Sequence, residues 1–175
     1  MRWVISDGFI RLRPVVLADA PVYLAAEDDD LVRWYTGGRS TPEGVANYFH
    51  RCVRDWESDA PVRAFAVEDL STGTTTGLID AKCQLSCLAP GQANLSYGIY
   101  PPWRGRGIAT HAVNLACTLL ADSHFATQAV LRIAPENLAS QAVAHRTHFT
   151  FSHRTDDTHG PLNWYLRDLT ESTLQ

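Results

Sequence analysis

The sequence predicts an α/β (α+β) layer of helices on a mixed sheet, and three observations carry that prediction. About four stretches read as helices and about seven others as strands, by alternation or as short apolar runs bounded by turns. The two kinds of stretch are interleaved along the chain, in the order β-α-α-β-β-β-α-β-α-β-β, which is the pattern of helices packed on a sheet. Finally, 45% of the 175 residues are hydrophobic, enough for a substantial core and against disorder.

The elements follow in order. "FIRLRP" (Phe9–Pro14) alternates apolar and basic residues and is stopped by Pro14. In "LADAPVYLAAEDDD", Asp19 is placed to cap a helix, with Pro21 in its first turn. The apolar stretch runs out in Glu27, Asp28, Asp29 and Asp30. Thr41-Pro42-Glu43 opens the next helix, along which Val45, Phe49, Cys52, Val53 and Trp56 recur at helical spacing. The period then changes to two. Val62–Asp69 and Thr76–Leu85 read as strands joined by the turn Ser71–Thr75, and Ala93–Tyr100 follows after the turn Leu88–Gln92. From Ile108, the residues Val113, Leu115, Ala116, Leu119 and Leu120 trace a helical face. Ala129–Pro135 reads as a buried strand, Asn137 opens a helix, and "FTFSHRT" and "PLNWYLRDL" close as strands. No repeat, low-complexity tract or linker interrupts the series, so residues 1–175 are read as one domain.

Composition excludes several classes of function. A net charge of −4 argues against non-specific nucleic-acid binding, which runs on a strong cationic field. Every basic residue but Lys82 is Arg, the side chain better matched to oxyanions. Cys52, Cys83, Cys87 and Cys117 form no CxxC pair, which suits buried thiols in a reducing compartment. "MRWVISDGFIRLRP" lacks the apolar run of a signal peptide, and no stretch approaches the ~20 apolar residues that span a bilayer. A soluble, cytoplasmic protein without membrane or nucleic-acid partners is expected.

The most informative stretch is "SYGIYPPWRGRGIATHAV", a strand, a loop and a helix start. A helix N-terminus carries unpaired N–H donors and a partial positive charge, and so cradles phosphate. Gly105 and Gly107 let the backbone take unusual φ angles and approach a ligand. Arg104 and Arg106 add attraction for an anion, and Thr110 adds a hydroxyl. The alternative is a plain turn with solvated arginines. Neither the P-loop Lys-Ser/Thr nor GxGxxG spacing is present.

Arg104-Gly105-Arg106-Gly107-Ile108-Ala109 resembles the Q/R-x-x-G-x-G/A signature of GNAT-type N-acetyltransferases. Tyr97–Pro101 looks like the central strand of that family, and Pro135–Phe149 resembles the N-x-x-S helix of its ribosomal-protein (RimJ/RimL-like) and antibiotic-acetylating branch. The resemblance implies a mostly antiparallel sheet of about seven strands flanked by four helices, with central strands splayed to hold CoA. It implies transfer of acetyl from acetyl-CoA to an amine by direct attack, with no metal. The cosubstrate would be held by Tyr97, Gly98, Ile99, Arg104, Gly105, Arg106, Gly107, Ile108, Ala109, Thr110, Asn137 and Ser140. The pyrophosphate would sit on the amides of Arg106–Thr110 and the pantetheine arm along Tyr97–Ile99, steadied by Asn137. The Ile99 amide would face the thioester carbonyl, and Ser140 would protonate the departing thiolate. For Ser140 the alternative is a first-turn hydroxyl bonded to its own helix.

The resemblance places the acceptor beside Glu27, Asp28, Asp29 and Asp30, where carboxylates would draw in a cationic amine; the alternative is a solvated helix end. Trp34 and Tyr35 follow, either to stack on the acceptor or to pack. The acceptor is a small-molecule or peptide amine: an N-terminus, an aminoglycoside-like antibiotic, a polyamine or a small amino compound. A homodimer is a further expectation from similar enzymes. The chain also departs from the pattern. Asn94 and Arg132 stand where members carry Glu, Ala144 where others carry a Tyr acid, and His148 where Gly is usual. The base is therefore open between Asp80, His159 and Asp157 acting through water, and no base at all. His145 and His148 have metal-compatible spacing, but no carboxylate or thiol completes a set. Two other functions stay open, transfer from another acyl-CoA such as succinyl-CoA and a catalytically silent acyl-CoA sensor.

Overall fold

In a computed structural model, residues 3–58, 60–157 and 160–169 are described. Eight strands form one sheet among the described residues: β1 (Ile5–Ser6), β2 (Ile10–Pro14), β3 (Val62–Asp69), β4 (Thr75–Lys82), β5 (Gln92–Ile99), β6 (Gln128–Ile133), β7 (Thr150–Asp157) and β8 (Gly160–Asp168). Their spatial order is β1-β2-β3-β4-β5-β6-β8-β7. Five helices accompany them: α1 (Asp19–Ala26), the short α2 (Asp29–Leu31), α3 (Pro42–Glu57), α4 (Ile108–Asp122) and α5 (Leu138–Arg146). The additions to the expected seven strands and four helices are the two-residue β1 and the three-residue α2, which continues into a π-helical turn, Val32–Thr36.

All neighbouring strands run antiparallel except β5 and β6. Those two pair in parallel over three rungs, Gln92–Gln128, Ala93–Ala129 and Asn94–Val130. Beyond Asn94 they separate, so Leu95–Ile99 have a partner on the β4 side only. This is the expected splay.

Strand alternation sorts the core into two faces. Ala64, Ala66 and Leu78 pack under α1, α2 and α3, against Tyr23, Leu31, Val45 and Phe49. Phe65, Val67, Ile79 and Leu95 pack under α4, against Ile108, Val113, Ala116 and Leu120. Thr41 caps α3, its hydroxyl accepting from the Gly44 amide at 3.0 Å with Pro42 at the first helical position. At α1 the local rule gives way. Ala18 holds the cap position without a side-chain bond. Asp19 is 3% exposed and is held by both guanidinium nitrogens of Arg13, at 2.8 and 2.9 Å. A buried carboxylate needs a charged partner more than the helix needs a cap.

Candidate functional site

The site is built where β5 leaves β6. Between β5 and α4 the chain makes one turn of 3₁₀ helix, Pro101–Trp103, then turns through Gly105 (φ 73°) and Gly107 (φ 80°) into α4. Gly107 stands at the cap position without a side-chain bond, and the first amide bonded back is that of His111, to the Gly107 carbonyl at 3.2 Å. The amides of Ile108, Ala109 and Thr110 therefore point out of the helix start uncapped. They line a cavity of about 630 Å³ together with Tyr97, Gly98, Ile99, Asn137 and Ser140. Leu31, Trp34 and Tyr35 wall the same cavity from the other face of the sheet, so it passes through the gap between β5 and β6.

The backbone of β5 offers donors to that gap. The Tyr100 amide donates to the Thr76 carbonyl at 2.8 Å, and successive strand amides point to opposite sides, so the Ile99 amide points away from β4 into the gap. Gly98 carries no side chain because Leu31 and Tyr35 lie over it: a Cβ would meet the Leu31 methyl at 2.7 Å and the Tyr35 ring at 3.3 Å.

Arg104 does not stand free in solvent. Its Nε donates to the Ile99 carbonyl at 3.0 Å, and its two terminal nitrogens donate to Asp28 at 2.6 and 2.9 Å. Arg104 thereby holds the Asp28 carboxyl down to about 2, and the carboxyl also caps α2 by accepting from the Leu31 amide. Asp30 lines the cavity edge, 3.4 Å from Arg104. Arg106 lies outside the cavity lining, its guanidinium 5.0 Å from the Trp103 ring. Glu27 accepts from the Ser40 amide at 3.0 Å, and Asp29, exposed, pairs with Arg39. Of the acidic run, then, Asp30 reaches the cavity, whereas Glu27, Asp28 and Asp29 are engaged by the Ser40 amide, Arg104 and Arg39 respectively.

Asn137 caps α5, its side-chain oxygen accepting from the Ser140 amide at 3.1 Å. Burial pushes the Tyr97 phenol up to about 12, opposed by the Ser140 hydroxyl and the Arg146 guanidinium. His111, one turn into α4, binds Asp7 through Nδ1 at 2.6 Å and also lines the cavity. The two positions of missing carboxylates meet: Arg132 Nε donates to Asn94 Oδ1 at 3.0 Å, at the last rung before the splay. Ala144 is fully buried in the core. Among the described residues no cluster of three His, Cys, Asp or Glu could hold a metal ion, and no helix is long and apolar enough to cross a membrane.

A second cavity, of about 400 Å³, lies on the α1–α3 face. Its lining includes Tyr23, Tyr35, Tyr48, Asp80, Lys82 and Ser96. Tyr35 belongs to both cavities. Asp80 is 3% exposed; its Oδ2 lies 3.3 Å from Lys82 Nζ and 3.5 Å from the Tyr35 hydroxyl. Its Oδ1 is buried without a partner among the described residues. Burial raises the Asp80 carboxyl above its usual range, against the pull of Lys82 and Tyr35. Of the other base candidates, His159 and the Asp157 side chain lie outside the described residues.

A family model described as an acetyltransferase (GNAT) domain matches residues 10–150. No curated protein matches the chain significantly. Among solved structures, the chain is similar to RimL, a ribosomal L7/L12 alpha-N-protein acetyltransferase in complex with coenzyme A. The TM-score is 0.81 at 16% identity, covering 95% of this chain and 98% of that one. The aminoglycoside acetyltransferase AAC(6')-Ib in complex with coenzyme A matches with a TM-score of 0.77 at 16% identity, covering 91% and 94%. The ribosomal-protein-S5-alanine acetyltransferase from Vibrio fischeri matches with 0.79 at 16% identity, covering 95% and 96%.

Proposed function

Because the chain belongs to the acetyltransferase (GNAT) domain family, we propose that it moves an acetyl group from acetyl-CoA to a primary amine on a peptide or small molecule. One observation carries the reading: uncapped amides at the start of α4 share a cavity with an unpaired edge of β5. A diphosphate needs the first, because helix-start N–H groups and the helix dipole favour an anion. An amide-bearing arm needs the second, because it pairs with a strand edge through the main chain. Those two features, the positive φ at Gly105 and Gly107 and the cavity through the sheet all suit coenzyme A.

In this reading Ile108–Thr110 hold the diphosphate and the free edge of β5 aligns the pantetheine arm. The Ile99 amide donates to the thioester oxygen as negative charge develops there. Arg104 occupies the Ile99 carbonyl, which leaves the amide as the polar group that strand end offers. Ser140, beside Tyr97 in the cavity, supplies a proton to the departing sulfur. The amine approaches from the Trp34 and Tyr35 side, and attack by its lone pair forms the amide bond while the C–S bond breaks. The neighbours in complex with coenzyme A, which include one protein and one aminoglycoside acetyltransferase, support the amine as the acceptor class. Four free thiols, at Cys52, Cys83, Cys87 and Cys117, support a reducing, cytoplasmic setting.

The test is calorimetry with coenzyme A followed by thiol release from acetyl-CoA across a panel of N-terminal peptides, aminoglycosides, polyamines and small amines. Saturable binding, thiol release and an acetyl mass increment on one amine are expected. Binding without thiol release on any amine would assign a sensor role instead.

A further inference from the structure

Asp80 is a charge the fold has gone to some trouble to place. It sits mid-strand on β4, opposite Ala64 on β3 and Ser96 on β5, and α2, its π-helical turn and α3 cover that face. A buried carboxylate is costly unless paired and fully hydrogen-bonded. Here Lys82, the only lysine of the chain, lies 3.3 Å away, and one carboxylate oxygen is left without a partner among the described residues. Such an under-satisfied charge inside a cavity suits a site whose missing partner is a ligand.

The cavity it lines is separated from the larger one by Tyr35. That ring rests on Gly98, the strand residue next to the Ile99 amide, and its hydroxyl points to Asp80 Oδ2 at 3.5 Å. The distance is long for a hydrogen bond and short enough to close when an amine docks. Resting on the acetyl-transfer reading above, we infer that Tyr35 and Asp80 form a proton relay at the wall between the two cavities, which deprotonates the incoming ammonium. The ammonium gives one proton to the Tyr35 oxygen as Tyr35 gives its own to Asp80 Oδ2. The freed lone pair forms the C–N bond and the thioester π pair moves to oxygen. As the carbonyl re-forms, the C–S pair leaves on sulfur, which takes a proton as the nitrogen sheds its second. Asp80 then returns its proton to solvent through the second cavity.

The groups facing Asp80 fit this duty. Lys82 on the same strand opposes the upward push of burial on the carboxyl. Tyr35, and Tyr48 and Cys52 on α3, are all raised, burial being the main cause and the Asp80 charge a further one, so they stay protonated as donors. Arg39 at the rim is engaged with Asp29.

The test uses the purified full chain with two probes small enough for either cavity: methylamine, protonated at neutral pH, and hydroxylamine, which is not. Asp80→Asn and Tyr35→Phe are each expected to cut methylamine-dependent thiol release about 100-fold or more. Hydroxylamine-dependent release should fall less than about tenfold, since that nucleophile needs no base. The double variant should be no more than about threefold worse than Asp80→Asn alone, because one relay is lost only once. Coenzyme A affinity should stay within about threefold. Should Asp80→Asn not fold, Lys82→Met serves in its place. Removing the cation raises the Asp80 pKa further, so the acidic limb of the pH–rate profile moves to higher pH. The relay is overturned by full methylamine activity in either single variant, by equal loss on both probes with coenzyme A affinity intact, by an unmoved acidic limb in Lys82→Met, or by wild-type protein that binds coenzyme A yet uses neither probe. Failure to bind coenzyme A at all would instead sink the reading on which the relay rests.

Discussion

Arg104 clasps Asp28 with both arms of its guanidinium, at 2.6 and 2.9 Å, while its Nε holds the Ile99 carbonyl. One side chain thereby joins three pieces of the site: the loop before α4, the end of β5 and the start of α2. An arginine of the phosphate-type motif thus turns inward as a brace, and the amides behind it are left to meet the ligand.

Replacing Arg104 with Ala should cost about 1 kcal/mol of stability, the value of a charge-assisted two-pronged pair discounted for its partial exposure. Coenzyme A affinity should drop about tenfold as the β5 end loosens, about 1.4 kcal/mol. Asp28 is depressed to about 2, chiefly by Arg104, so the pair's contribution is present above the ordinary carboxylate range and is lost as pH falls through about 2. Denaturant midpoints of the two proteins at neutral pH and near that value should therefore converge in acid.

Asp19→Ala should destabilise more, by roughly 1.5–3 kcal/mol, because it removes two charge-assisted hydrogen bonds from the Arg13 guanidinium, which keeps Glu68 at 2.9 Å. Burial pushes the Asp19 carboxyl up, but Arg13 and the Val16 amide outweigh it and hold it below its usual range. Stability from this pair is thus full at neutral pH and declines in acid. Urea titration of wild type and variant at neutral pH measures the difference.

His148→Gly should stabilise the fold by about 1 kcal/mol, the strain relieved at a left-handed position. His148 has φ 61° just past α5, where the Phe149 amide reaches the Ala144 carbonyl at 2.9 Å and the His148 amide reaches that of His145 at 3.2 Å. This is the helix-ending double bond that favours glycine. A rise in melting temperature of several degrees is the readout.

Gly107→Ala should do the opposite, at similar size, since φ is 80° there. The nearest atom to a new Cβ is His111 Cδ2 at 3.8 Å, so the cost is conformational rather than steric. Coenzyme A binding should weaken along with stability as the helix start is re-aimed; calorimetry reads the first and thermal melting the second.

The sequence reveals what is local. Alternation in Val62–Asp69 and the Thr41-Pro42 cap fix elements that the structure retains, and Gly105 and Gly107 announce a turn into a helix. β1 and α2 escape because two or three residues carry no period. Asp19 misleads because a capping rule sees neighbours in sequence and Arg13 reaches it in space. Asp80 stands in the sequence as one of three candidate bases, but its burial is not legible there, because the helices that cover its face of β4 are distant in sequence. Arg132 and Asn94 are visible as departures from a pattern, and only the parallel register of β5 and β6 brings them together.

Three rungs, the Thr127 and Gln128 amides on the Gly91 carbonyl, the bonds of Arg132 to Asn94 and Cys87, and a Gln92–Gln128 side-chain bond at 2.6 Å help stitch β1–β5 to β6, β8 and β7 at this seam. The molecule resembles a book bound along a short spine. Whatever lies between the leaves fastens them, so deuterium uptake at the gap-facing amides of Leu95, Tyr97 and Ile99 reports directly on whether the book is open or shut.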